Sequence, residues 1–214
     1  MKSLTRKEKQ ARTRAKLMRS AAKLFCHRGL DQASVDDIAQ DAGFTKGAFY
    51  SNFKSKEELF LAILDEKFAE EIERIDASLQ TDESPGEAAR HAGEQFVRSF
   101  RADPEWMRLY MEFIAYAARN EAFREELLTR CWAMDARLEE VYRRWHERVG
   151  IVAPLPLAQI TRMVSIMADG FLIWQQIDPS LSEELYGEML AIFMQGLGAM
   201  AQQQAAGAAA EAGR

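Results

Sequence analysis

Residues 43–59 read GFTKGAFYSNFKSKEEL, a run of small and polar side chains around the aromatic anchors Phe44 and Phe49, with helix-capping signals on either side. Upstream, Ser34 is placed to cap a helix carrying Val35, Ile38, Ala39 and Ala42 on one face, and Gly43 supplies the left-handed residue that ends it. Downstream, Ser55 and Glu58 have capping-box spacing ahead of Leu59, Phe60, Ile63, Leu64 and Phe68. Counting from Val35, Ala39 falls where two helices cross closely. Gly43 falls at the turn between them, and Phe44 and Phe49 fall where apolar residues fill the angle. This is helix-turn-helix spacing, and a short second helix of small and polar residues suits a DNA groove.

The pattern continues beyond the two helices. Residues 21–59, AAKLFCHRGLDQASVDDIAQDAGFTKGAFYSNFKSKEEL, with flanking positions from about 10 to 65, resemble the TetR family of bacterial transcriptional regulators, TetR/AcrR type. Phe44 and Phe49 stand where smaller aliphatics are common in that family, and Ser51 and Asn52 occupy variable positions. The resemblance implies that Tyr50 and Lys56 contact phosphate and that Ser34 marks a helix start that does likewise. From the residues themselves, Thr45, Lys46, Gly47 and Ala48 open the recognition helix. Gly47 and Ala48 permit close approach to DNA, and Thr45 and Lys46 donate to phosphate or base. Asn52 completes the expected DNA-binding set. Lys56 stands in the first turn of its helix, where the dipole disfavours a lysine unless an anion is near, which favours a phosphate contact. Each residue also has a plainer use: Ser34 as a cap, Tyr50 in packing, the lysines solvated.

The charge distribution agrees with a DNA-binding head. Residues 1–60 hold 13 Lys or Arg against 7 Asp or Glu, whereas the other 154 residues hold 15 against 26. A basic head on an acidic body directs the phosphate field to one end of the sequence. The run from Lys2 to Lys16 serves either as a flexible arm on DNA or merely as a solvated terminus. It contains no apolar stretch of signal-sequence length, and no later segment approaches a membrane span, so a cytoplasmic protein with no membrane partner is expected. Cys26 and Cys131 lie in helical apolar patterns and are expected as buried free thiols.

The periodicity is helical throughout, and no proline precedes Pro85. The expected fold is all-α with about nine helices: a three-helix head over residues 1–58, a helical ligand-binding and dimerisation domain over 59–205, and a flexible tail over 206–214. The first helix is expected over Lys7–Arg28 and the fourth to about Ser78, with a linker at Leu79–Ser84. Ser84 with Pro85 and Asp103 with Pro104 start the next two helices, and Asn120 opens what reads as the longest, stopped by Gly150. A helix ended by Asp178 and Pro179 and a last one from about Leu181 complete the set.

All four tryptophans, Trp106, Trp132, Trp145 and Trp174, lie beyond residue 100. The resemblance implies a small-molecule effector bound between the middle helices, and Trp106, Tyr110, Phe113, Trp132, Met163, Met167 and Phe171 are the expected lining, an ordinary aromatic core being the alternative. Glu112 and Asp169 interrupt apolar runs, either to orient a ligand or as solvated carboxylates. The final two helices mix Gly170, Gly196 and Gly198 with Ile166, Ile173, Ile177, Ile192 and Phe193. One chain does not cover both faces, so a homodimer through these helices is expected, as the resemblance also implies, with a palindromic double-stranded DNA operator. Repression relieved by an apolar or aromatic effector is the commoner family behaviour; a DNA-binding or architectural protein without a ligand is the alternative. His27, His91 and His146 are scattered, and no phosphate loop or nucleophile elbow occurs, so no catalytic residue, metal or cofactor is expected.

Overall fold

Thr5 opens the first helix with a reciprocal cap: its hydroxyl accepts from the Glu8 amide, and its own amide donates to the Glu8 carboxylate. The computed structural model describes residues 5–212. Among them the chain forms nine helices: α1 (Arg6–Arg28), α2 (Val35–Asp41), α3 (Lys46–Tyr50), α4 (Lys56–Ser78), α5 (Pro85–Ala102), α6 (Pro104–Arg119), α7 (Glu121–Val149), α8 (Leu157–Ile177) and α9 (Glu183–Ala212). No strand occurs among the described residues. The all-α reading and its punctuation hold. Asp103 accepts from the Trp106 amide at 2.9 Å ahead of Pro104, and Asn120 accepts from Phe123 at 2.9 Å ahead of α7. Gly43 (φ +75°) makes the turn after α2, where a side chain would strain the backbone.

Two details differ from expectation. At 30 residues α9 exceeds the 29 of α7, so the helix opened by Asn120 is not the longest. Residues 206–212, expected in a flexible tail, continue α9 because alanine has the lowest intrinsic cost in a helix. Residues 213 and 214 lie outside the described residues.

The chain gathers into two compact units. The first comprises the described residues up to Ala69 together with Asp103–Arg130; the second comprises Glu70–Ala102 and the described residues from Cys131 onward. In the first unit Phe60 is the hub. Its ring stacks on Phe113 at 3.7 Å, lies 5.7 Å from Phe123 and meets Phe25 edge-on at 5.0 Å. Leu17, Ala21, Leu30, Ile38, Phe49 and Phe53 extend this core under the helix-turn-helix.

In the second unit, Ile72, Leu79, Ala88, Leu138, Val141 and Trp145 form one buried cluster, and Ala89, Val97, Phe171, Tyr186 and Leu190 form another. The α5–α9 crossing is set by glycines. A Cβ on Gly187 would lie 2.7 Å from the Arg90 carbonyl, and one on Gly93 would lie 3.1 Å from the Gly187 Cα. Only hydrogen at both positions allows this approach. Arg90 pairs with Glu188 beside the contact, and Arg101 pairs with Glu183 at 2.7 Å.

Both cysteines are free, but half-buried rather than buried. Cys26 Sγ donates to the Glu105 carbonyl at 3.0 Å. Burial pushes both thiols up to about 11, so neither is a reactive thiolate near neutral pH.

Candidate nucleic-acid interface

The recognition helix α3 is five residues long, held at its start by Thr45, whose hydroxyl accepts from the Ala48 amide at 3.2 Å. Phe49 is fully buried against Phe53 and Tyr50, at centroid distances of 5.8 and 5.5 Å. This anchor turns Thr45, Lys46, Gly47 and Tyr50 outward, and all four are exposed. Nothing but the Thr45 hydroxyl lies within 4 Å of where a Gly47 Cβ would stand. The outer face of α3 is therefore small, polar and open to a partner.

The other expected residues are engaged within the head. Lys46 Nζ pairs with Asp36 Oδ2 at 2.8 Å, a contact in which both side chains are more than half exposed. Such a pair yields readily to a phosphate. The Ser34 hydroxyl accepts from the Asp37 amide at 3.1 Å and donates to its carboxylate at 2.7 Å, and this bonding holds the Asp37 carboxyl below its usual range. Ala48 is half-buried, and its carbonyl accepts from Ser51 Oγ and from Asn52 Nδ2, each at 2.8 Å. Asn52 Oδ1 is buried without a hydrogen-bond partner.

Lys56 answers the misfit seen in the sequence. Its ammonium donates to the Leu30 carbonyl at 2.7 Å and the Asp31 carbonyl at 3.3 Å, so negative ends of backbone dipoles offset the helix terminus. Two of its three N–H donors are thereby used inside the head.

Three residues that sequence reasoning did not assign also shape this surface. Arg14 sits with its guanidinium 4.0 Å above the Phe53 ring and donates to the Asn52 carbonyl at 2.9 Å, fixing the end of the recognition segment. Asp36 restrains Lys46. Glu112 of α6 accepts the Leu30 amide at 2.8 Å. The signal for these is three-dimensional: each partner lies ten or more positions away. From Arg6 onward the basic N-terminal run is helical rather than a flexible arm; Lys2 lies outside the described residues.

The expected effector-lining residues separate between the units. Trp106 and Phe113 are packed in the core of the first, and Tyr110 lies 5.9 Å from Trp106. In the second, Phe171 is buried in a core cluster, Met163 and Met167 are half-buried on α8, and Trp132 is exposed on α7. Glu112 is spent on Leu30. Asp169 is exposed on α8 near Cys131, whose thiol its charge helps to raise.

A basic first helix, a capped pair of short helices and an outward-facing α3 make up a helix-turn-helix unit. Residues 17–63 match the family profile described as "Bacterial regulatory proteins, tetR family". The match covers the helix-turn-helix head and less than a quarter of the chain.

The HTH-type transcriptional activator FasR of Mycolicibacterium smegmatis is 32% identical over 99 residues, 46% of this chain and 45% of its own length. The HTH-type transcriptional regulator YfiR of Bacillus subtilis is 23% identical over 167 residues, 78% of this chain and 81% of its own. The chain thus spans less than half of FasR. Among solved structures, the fatty acid degradation regulator FadR from Bacillus halodurans superposes with a TM-score of 0.68 at 17% identity, over 91% of this chain and 97% of that one. FadR from Bacillus subtilis in complex with stearoyl-CoA gives 0.66 at 17%, over 83% and 95%. The SmeT–triclosan complex gives 0.62 at 20%, over 86% and 89%. The fold is that of TetR-family regulators. No helix among the described residues is long and apolar enough to cross a membrane.

Proposed function

We propose that this chain is a ligand-responsive transcriptional repressor that binds a palindromic operator as a homodimer and leaves it when a small molecule binds. The observation that carries the reading is the outward face of α3, pinned from below by Phe49. Thr45, Lys46, Gly47 and Tyr50 meet the groove, with Ser34, Ala48, Asn52 and the remaining Lys56 donor at its margin. A phosphate drawn to Lys46 displaces Asp36, an exchange between two exposed ion pairs that costs little.

The dimer reading is supported by apolar side chains that the chain leaves in water. Ile166 is 63% exposed, Trp174 61% and Ile192 60%, on α8 and α9. Pairing these helices with those of a second copy removes that surface from water, at about 25 cal/mol for each Å² of apolar area. The effector reading draws on FadR and SmeT, which were solved with stearoyl-CoA and triclosan. Within the second unit, Met163, Met167 and Trp132 are the expected contacts that remain accessible to a ligand.

Selection of duplexes from a random pool, followed by sedimentation and promoter-reporter assays, tests the proposal. Recovery of an inverted repeat, a ligand-free dimer and a promoter silenced by the protein are expected. Ile192→Glu should yield a monomer and abolish operator binding together. A monomer with full operator affinity, or a promoter that the protein switches on, would overturn the dimer or the repressor assignment respectively.

A further inference from the structure

Within the second unit, the C-terminal half of α4 and the middle of α5 enclose an open groove of about 310 Å³. Ile75, Ala92 and Phe96 give it an apolar wall, and Glu71, Arg74 and Gln95 give it polar groups. None of the effector-lining residues expected from the sequence takes part. The wall is rigid: Ile75 and Ala92 pack against the Trp145 cluster, and the Phe96 ring lies 4.9 Å from Phe100 and 5.8 Å from Tyr186. At roughly 30 Å³ per water-sized group, the space suits a single ring with a short chain.

The polar pair is asymmetric. Glu71 is only 5% exposed, while its partner Arg74, bonded through Nη2 at 2.6 Å, keeps about half of its side chain in water. Burial pushes the Glu71 carboxyl upward despite Arg74, with Ser99 of α5 also facing it and Tyr142 of α7 near enough to feel its charge. A buried anion is thus fixed at the edge of an apolar groove, and its counter-charge rides on a movable arm. A cation entering the groove can take the carboxylate while Arg74 swings into solvent, where it is well hydrated. An anion recruiting Arg74 would strand the Glu71 charge, which is the costly direction.

We propose that the α4–α5 groove binds a small amphipathic organic cation, its ammonium on the Glu71 carboxylate, its hydrocarbon body along Ile75, Ala92 and Phe96, and Gln95 hydrogen-bonded at the rim. This deepens the effector reading above and rests on it for any effect at the operator; the binding event stands without it.

The test is calorimetric and ligand-observed NMR titration of the full chain with phenethylammonium, its uncharged isostere phenethyl alcohol, and the anion phenylpropanoate. The cation is expected to bind at least tenfold more tightly than either other probe. Glu71→Gln, which keeps shape and hydrogen bonding, should lose tenfold or more of that affinity with a thermal midpoint at or above wild type. Arg74→Ala should bind the cation as well as wild type or better. Equal binding of all three probes, no binding of any, or cation binding indifferent to Glu71→Gln would overturn the assignment. Phenylpropanoate binding lost in Arg74→Ala would make the groove an anion site instead. Operator binding measured in parallel separates the two readings. Cation binding that leaves operator affinity unchanged keeps the groove and removes it from regulation. Release from DNA by a ligand unaffected by Glu71→Gln keeps regulation and removes the groove.

Discussion

The Leu30 amide and the Glu112 carboxylate, 82 positions apart in sequence, are joined by a 2.8 Å hydrogen bond at the turn between α1 and α2. Leu30 is fully buried, so this amide has no water to turn to, and its carbonyl is taken by Lys56 at 2.7 Å. Both polar groups of one buried backbone unit are therefore satisfied by side chains from α6 and α4. Gly29 next to it, at φ +77°, would bring a Cβ within 3.0 Å of the same carboxylate oxygen.

Removing the acceptor should therefore be expensive. Glu112→Ala is expected to cost about 1–3 kcal/mol of stability, the usual penalty for a stranded buried donor, whereas Glu112→Gln keeps an acceptor and should cost less. Urea unfolding ranks the variants, and hydrogen exchange at Leu30 should accelerate in Glu112→Ala. Unchanged exchange at that amide would show that the bond does not protect it.

At the DNA surface, Lys46→Ala should lower the slope of log affinity against log salt by about 0.9 if that ammonium holds one phosphate. Asp36→Asn should act in the opposite direction. It frees Lys46 and removes a negative charge beside the duplex, for a gain of about 1 kcal/mol or less, roughly fivefold. Fluorescence anisotropy over a salt series gives both quantities. Weaker binding by Asp36→Asn would mean that the carboxylate positions Lys46 rather than competing for it.

Gly187→Ala should destabilise the second unit by about 1–3 kcal/mol, because its Cβ would sit 2.7 Å from the Arg90 carbonyl and 2.9 Å from Glu94. Gly86→Ala, on the same helix pair, meets only the flexible Gln195 side chain at 3.7 Å and should be neutral or slightly stabilising. Thermal midpoints of the two variants check the contrast. Equal midpoints would mean that the α5–α9 crossing adjusts to the methyl group.

His146 supplies a pH dependence. It is buried beside Trp145, and burial holds its pKa below the ordinary 6.5. As pH falls through 6.5, the unfolded chain takes up this proton before the folded one, so stability at this site is full above that value and declines below it. His146→Phe should flatten the decline. Exposed His91 works in the opposite sense, since Glu83 raises its pKa, but it is common to both proteins and cancels in the comparison. Urea midpoints at pH 7.5 and 5.5 measure the difference, and parallel curves would refute the assignment.

Helix ends were the most legible part of the sequence, because they are fixed by neighbours. Ser34 as a cap, Asp103 with Pro104, and Asn120 all do in the structure what their positions imply. Side-chain purpose was less legible. Lys56 reads as a misfit in search of an anion, and its local sequence gives no hint that two carbonyls 25 and 26 residues earlier provide the partner. Glu112 reads as an interruption in an apolar run for the same reason. Among the aromatics, helical spacing identifies Phe113 as inward-facing. It does not reveal that Phe60 and Phe123 close around it. The outer face of α3 was legible because, the Lys46–Asp36 pair apart, its exposure depends on Phe49 alone.

That independence has a historical consequence. Of the five residues in α3 only Phe49 is buried, and the cap at Thr45 stands outside the helix. Lys46, Gly47 and Tyr50 support little of the core, so descendants can exchange them one at a time without losing the fold. In the proposed role, operator preference can therefore drift by single substitutions through a continuous series of folded proteins, with Phe49 kept as the pivot on which each new specificity is mounted.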